Sequence, residues 1–214
     1  MVKALLFDFW GTLAENGVQS PIKQVKYILR IPEPFSEFVV RFEHAMMIQS
    51  FPTLTDAFQN VCKEFNLPPY QSQIETLIGM WNKSWMLAFP YPEVEELLTT
   101  LHKEYTLILI SNTDEFSINN VLNKFNLRRH FDHIFLSCDL GVIKTDNGFL
   151  KTVLDRAHLA VEDCLLIGDS IQSDIVAAQR VGVNAILLDR SNTRDFTPKI
   201  KNLHELQSFL AHQQ

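Results

Sequence analysis

Five short apolar runs, most of them closed by a polar break, restrict the folds open to this chain more than any other feature. They are Val2–Phe7, Thr106–Ile110, His133–Leu136, Cys164–Ile167 and Ala185–Leu188, all rich in Leu, Ile, Val and Phe. Continuous apolar runs of this length read as strands buried on both faces, not as half-solvated ones. Most are followed by a segment of helical period. Strand–helix alternation calls for parallel neighbours joined by right-handed crossovers, so the expected class is α/β with a doubly wound sheet.

The first two runs are almost a hundred residues apart, and the interval shows no convincing strand. It reads as helices instead. Ser20-Pro21 supplies a cap and a proline at the first helical position, opening Ile22–Leu29. Further helices are expected over Phe35–Ile48, Leu54–Phe65 and Tyr70–Leu87, punctuated by Pro32, Pro34, Pro52, Pro68 and Pro69. Glu93–Lys103 then leads back into the sheet. The expected organisation is a core of residues 1–15 and 89–214 with a helical insertion over 16–88.

With 214 residues the chain is long enough for one full core plus this insertion. Its formal charge of -6, without a basic run, argues against a nucleic-acid surface, which needs clustered Lys and Arg. No apolar stretch approaches the roughly 20 residues needed to cross a bilayer. Lys3 and Asp8 interrupt the opening segment too early for a signal peptide. Cys62, Cys138 and Cys164 are odd in number and far apart, as expected of reduced thiols filling core space in a cytoplasmic protein.

In a doubly wound sheet, ligands bind beyond the carboxyl ends of the strands. The first run ends in Asp8-Phe9-Trp10-Gly11-Thr12-Leu13 and the second in Ser111-Asn112. Lys144 follows the third, and Gly168-Asp169-Ser170, with Asp174 five residues on, follows the fourth. Three carboxylates, an amine and a hydroxyl would converge on one crevice. Asp8, Asp169 and Asp174 would repel one another in a partly dry site, and Mg²⁺, which favours hard oxygen ligands, relieves that repulsion. Lys144 offers a charge for an anionic substrate, and Ser111 with adjacent amides offers hydrogen bonds to its oxygens. A carboxylate can also attack directly and form a covalent intermediate.

These four segments, in this order, resemble the four motifs of the haloacid dehalogenase superfamily. The resemblance covers nearly the whole chain, and the position of the helical insertion is similar to that of the subfamily I cap, inserted after strand one. It implies a Rossmann-like three-layer core, a five-stranded parallel sheet in the order 5-4-1-2-3, and a small all-helical cap domain. It also implies a hydrolase in which Asp8 is the nucleophile, Ser111 and Asn112 bind substrate, and Lys144 both binds substrate and assists catalysis. Asp8, Asp169, Asp174 and the backbone carbonyl of Trp10 would hold Mg²⁺. The substrate would be a small phosphorylated or otherwise anionic molecule.

Trp10 departs from the phosphatase pattern, which places a second Asp two residues after the nucleophile as general acid and base. Indole cannot titrate, and that function is worth roughly 10²–10⁴-fold in rate. Dehalogenases of 2-haloacids also carry an aromatic residue there, but they lack the acidic fourth motif that Asp169 and Asp174 keep. A Mg²⁺-dependent phosphohydrolase is therefore the expected activity. A 2-haloacid dehalogenase and a catalytically weak Mg²⁺- and anion-binding scaffold are the alternatives. Glu15 and His44 are candidate substitute acids, and Arg30 and Arg41 candidate anion ligands. Thr145 stands where proline commonly follows the lysine. The cap aromatics Phe38, Phe42, Phe58, Trp81 and Trp85 recur at helical spacing and read as cap core.

Overall fold

The computed structural model describes residues 2–211. In chain order the elements are β1 (Ala4–Phe7), β2 (Ala14–Glu15), α1 (Pro21–Ile28), α2 (Phe35–Met47), α3 (Leu54–Glu64), α4 (Gln71–Met86), β3 (Phe89–Pro90) and α5 (Val94–Leu101). Then come β4 (Thr106–Ser111), α6 (Glu115–Lys124), β5 (His133–Leu136), α7 (Ser137–Leu140) and α8 (Phe149–Ala157). The chain continues with β6 (Cys164–Gly168), a π-helical turn (Ile171–Ile175), α9 (Val176–Val181), β7 (Asn184–Leu188), β8 (Lys199–Ile200) and α10 (His204–Ala211).

The class is α/β, with a parallel sheet between helical layers. The alternating pleat of β1 shows why its run lacks polar residues. Leu5 and Phe7 face one layer, with Leu97, Ile118 and Leu206; Ala4 and Leu6 face the other, with Phe149, Val153 and Ala178. Each large side chain buried in this way contributes about 1.5–3 kcal/mol. The sheet has six strands, not five, in the order β5-β4-β1-β6-β7-β8. It differs from the expected 5-4-1-2-3 because β8, only Lys199–Ile200, extends the edge beyond β7. The two-residue strands β2 and β3 also enter the chain numbering. β1 lies inside, between β4 and β6.

Helices α1 to α4 occupy the long interval and share a separate apolar cluster containing Val25, Phe38, Phe42, Phe58, Leu77 and Trp81. Trp81 packs against both Phe42 and Phe58, with ring centroids 5.7 and 5.8 Å apart. At the base of this insertion β2 and β3 pair antiparallel, a ribbon too short to leave a strand pattern in the sequence. Ser20 precedes α1 as expected, but its backbone is left-handed and its side chain makes no capping bond. Thr53 does cap α3, accepting a hydrogen bond from the Asp56 amide. The three cysteines are free and buried. Among the described residues, no helix is long and apolar enough to cross a membrane.

Candidate active site

The carboxyl ends of β1, β4 and β6 open beneath the helical insertion into a cavity of about 500 Å³. Asp8 follows β1 directly, its amide bonded to the Ile167 carbonyl of β6. Asp169 follows β6, and Asp174 lies in the π-helical turn, a form that recurs at functional sites. One oxygen from each of these three carboxylates lies within 4.8 Å of the others. Two glycines make the crowding feasible. A Cβ on Gly11, whose φ is +83°, would come within 2.5 Å of an Asp169 oxygen, and one on Gly168 within 2.3 Å of Asp174.

Lys144 is buried between two of the acids, with Nζ 2.6 Å from Asp8 Oδ1 and 2.5 Å from Asp174 Oδ1. Burial alone would lower its pKa, but Asp174 and Asp8 outweigh burial and hold the ammonium charged well above the usual lysine range. Asp174 also accepts a bond from the Ser170 amide at 2.9 Å. The cluster nonetheless holds three carboxyls against one ammonium. Burial first, then Asp8 and Asp174, push the Asp169 carboxyl up to about 8. Burial pushes Asp8 to about 6, with Lys144 opposing the shift and Asp174 adding to it.

The residues present fit a divalent cation. Asp8 Oδ2 is buried without a hydrogen-bond partner, although its other oxygen is firmly held. No hydrogen bond among the described residues ends on the Trp10 carbonyl. Unpaired oxygens beside excess negative charge form a hard-donor set suited to Mg²⁺.

The remaining expected residues divide. Asn112 reaches the cavity and is held at both ends of its amide: Oδ1 accepts from the Lys144 amide at 2.8 Å, and Nδ2 donates to Glu43 at 2.9 Å. Ser111 stands at the end of β4 but is fully buried, and its hydroxyl donates to the neighbouring Asn112 carbonyl at 3.4 Å. At this strand end the cavity wall is formed by Asn112 and Thr113. Trp10 lines the cavity, packs edge-on against Phe9, and donates its indole N–H to Thr113 Oγ1 at 3.3 Å.

Neither suggested substitute acid lies on the cavity wall. Glu15 accepts from the Tyr91 hydroxyl at 2.7 Å, and His44 pairs with Asp146 at 3.1 Å. Arg41 is taken up by Glu33 and Glu64, and Arg30 lines a separate shallow hollow with Lys23 and Lys26. Cavity residues that escaped the sequence reading include Arg194 and Glu43. Arg194, from the loop after β7, donates to the Asp169 carbonyl. Glu43, on α2, faces the site from above and shares a helix stripe with the cavity residue Met47. Helical period gives no signal for it, since it does not say what a helix face meets.

Residues 5–188 match the family described as haloacid dehalogenase-like hydrolase. The chain is 26% identical over 205 residues to a glyceraldehyde 3-phosphate phosphatase from Methanocaldococcus jannaschii, covering 91% of this chain and 88% of that protein. It is 33% identical over 104 residues to a phosphoglycolate phosphatase from Aliivibrio fischeri, covering 48% of this chain and 45% of that protein. Several of the curated relatives are thus spanned over less than half their length. In fold the chain is similar to a crystal structure of a 2-haloacid dehalogenase from Pseudomonas syringae, with a TM-score of 0.67, 21% identity and full coverage of both chains.

Proposed function

Because the chain belongs to the haloacid dehalogenase-like hydrolase family, we propose that it is a Mg²⁺-dependent phosphohydrolase acting on a small phosphorylated molecule through Asp8. The observation that carries this reading is the acidic cluster itself: three carboxyls against one buried ammonium, with an Asp8 oxygen left without a partner. A site built only for an organic anion would not concentrate negative charge where its guest must sit. Asp8, Asp169, Asp174 and the Trp10 carbonyl would hold the ion, which would offset the charge of a phosphoryl group.

This chain's own residues supply the remaining chemistry. Asp8 attacks phosphorus in line, forming an aspartyl-phosphate that water then cleaves. Lys144 keeps the nucleophile ionised through its 2.6 Å contact and faces the incoming anion with positive charge. Asn112, anchored by the Lys144 amide beyond the end of β4, positions the phosphoryl oxygens. Residues 16–88 act as a cap that excludes bulk water and shapes the space for the rest of the substrate. The relatives' substrates, glyceraldehyde 3-phosphate and phosphoglycolate, point to small phosphorylated acids and aldehydes as the class to try first.

A phosphate-release panel with Mg²⁺ or with EDTA, on wild type and Asp8→Asn, tests the reading. Release should require the ion and fall by about 10⁴-fold or more in the variant. Trp10 favours a second reading, displacement of halide from carbon by Asp8, because a halide leaves without a proton. Chloride release from 2-chloropropionate that persists in EDTA would replace the first reading with that one. Mg²⁺-dependent thermal stabilisation with no release of either product would leave a binding scaffold.

A further inference from the structure

The indole at position 10 leaves the proposed reaction without a proton donor on the β1 loop, and its one N–H is engaged by Thr113. The titratable and charged side chains on the cavity wall are Asp8, Lys23, Glu43, Asp114, Lys144, Asp169 and Arg194. Asp8, Asp169 and Lys144 are committed to the ion and the phosphoryl group. Asp114 caps α6 through the Ser117 amide at 2.9 Å and accepts the Trp81 indole at 2.9 Å. Lys23 lies over the Phe35 ring, and a guanidinium such as Arg194 does not give up its proton. That leaves Glu43.

We infer that Glu43 is the general acid and base of this enzyme, acting from the helical insertion in place of the side chain missing at position 10. The inference rests on the phosphohydrolase reading. Its geometry is specific. Glu43 Oε2 accepts from Asn112 Nδ2 at 2.9 Å, and the same amide binds the backbone of Lys144, whose ammonium touches the nucleophile. Among the described residues Asn112 is the hydrogen-bond partner of this carboxyl, and none of the arginines or lysines pairs with it. The groups that act on it are Asn112 and Lys144, which favour its ionised form, and Asp174 and Asp8, which disfavour it. Burial is the largest influence, and its carboxyl is pushed up to about 7. A glutamic acid so placed exists in both forms near neutrality, as the two half-reactions require.

In the first half-reaction the Asp8 carboxylate forms a bond to phosphorus as the bond from phosphorus to the leaving oxygen breaks. Neutral Glu43 gives its proton to that oxygen, so an alcohol departs and Glu43 becomes a carboxylate. In the second, Glu43 takes a proton from the water attacking the aspartyl-phosphate. Phosphate leaves, and Asp8 returns as a carboxylate with Glu43 neutral again. The net change is one phosphate ester and one water giving one alcohol and one phosphate.

The test compares wild type, Glu43→Gln and Glu43→Asp on p-nitrophenyl phosphate, whose nitrophenolate leaves without a proton, and on the alkyl phosphate cleaved best in the panel. Glutamine can still accept from Asn112 but cannot transfer a proton. Glu43→Gln should therefore lose roughly 10²-fold or more in the first turnover of the alkyl ester, while the first-turnover burst of nitrophenolate stays within about threefold. The steady-state rate that follows should fall on both esters, because water attacks the same aspartyl-phosphate in each. Glu43→Asp should recover part of the loss. Equal first-turnover losses on both esters would make Glu43 a positioning residue for Asn112 and overturn the inference. So would an unchanged alkyl rate, or wild type that cleaves aryl esters only. Wild type that releases phosphate from neither ester overturns the phosphohydrolase reading as well, which sets the two failures apart.

Discussion

Lys144 carries the charge balance of the whole site. Replacing it with Met would leave two buried carboxyls and the half-buried Asp169 facing one another without an ammonium. Breaking a buried pair in this way costs about 3–5 kcal/mol, which urea unfolding in EDTA would measure. Added Mg²⁺ should restore part of that loss; no recovery would count against an ion at this cluster. The same residues set a pH dependence. Asp169, at about 8, and Asp8, at about 6, are raised above their unfolded values. They therefore draw stability from the ion-free protein as pH rises from about 4 towards 8, opposite to an acid held down by a salt bridge. An ion must displace the Asp169 proton, so Mg²⁺ affinity should increase roughly tenfold from pH 6 to pH 7 and level off above 8. Titration calorimetry at these pH values checks it, and a flat profile would contradict the assignment. At this scale the positions of Asp8 and Asp169 were legible because each directly follows a strand, and that of Lys144, eight residues beyond β5, because of its place in the order of motifs. Glu43 was not, because helical period places a residue on a face without saying what that face meets.

Among the elements, the loops after β1 and β6 must approach closely for their acids to share an ion, and Gly11 permits it. Its positive φ is one that a side chain resists, and a Cβ would press on Asp169 at 2.5 Å. Gly11→Ala should cost about 1–2 kcal/mol in backbone strain and also weaken Mg²⁺ binding by displacing that carboxylate. Thermal melts with and without Mg²⁺ separate the two effects. Strain without weaker binding would show that Asp169 does not reach the ion. The long strands were readable because burial on both faces removes polar residues from a run. β2, β3 and β8 were not, since two residues are too few to show a period. The cap expected at Ser20 failed for a local reason. Its backbone is left-handed where a capping residue is extended, and residue type alone does not report φ.

Across the whole molecule, the helical insertion keeps its own apolar core and meets the segments beyond the sheet through polar contacts as well as the packing of Trp85. Glu43 bonds Asn112, Trp81 bonds Asp114, and His44 pairs with Asp146. The Trp81 contact is buried, so Trp81→Phe would strand an Asp114 oxygen and should cost about 1–3 kcal/mol in urea unfolding. A much smaller cost would show that water replaces the indole. These contacts join residues from 33 to 102 positions apart, and no local pattern announces them.

The Asn112 side chain is a single flat group with one end turned to each half of the protein. For α2 to lift away, that amide must release Glu43 while its other end stays fastened to the backbone of Lys144. At this point the seam between upper and lower halves runs through one side chain, and parting the halves there would withdraw the proposed proton carrier while leaving the lysine where it was.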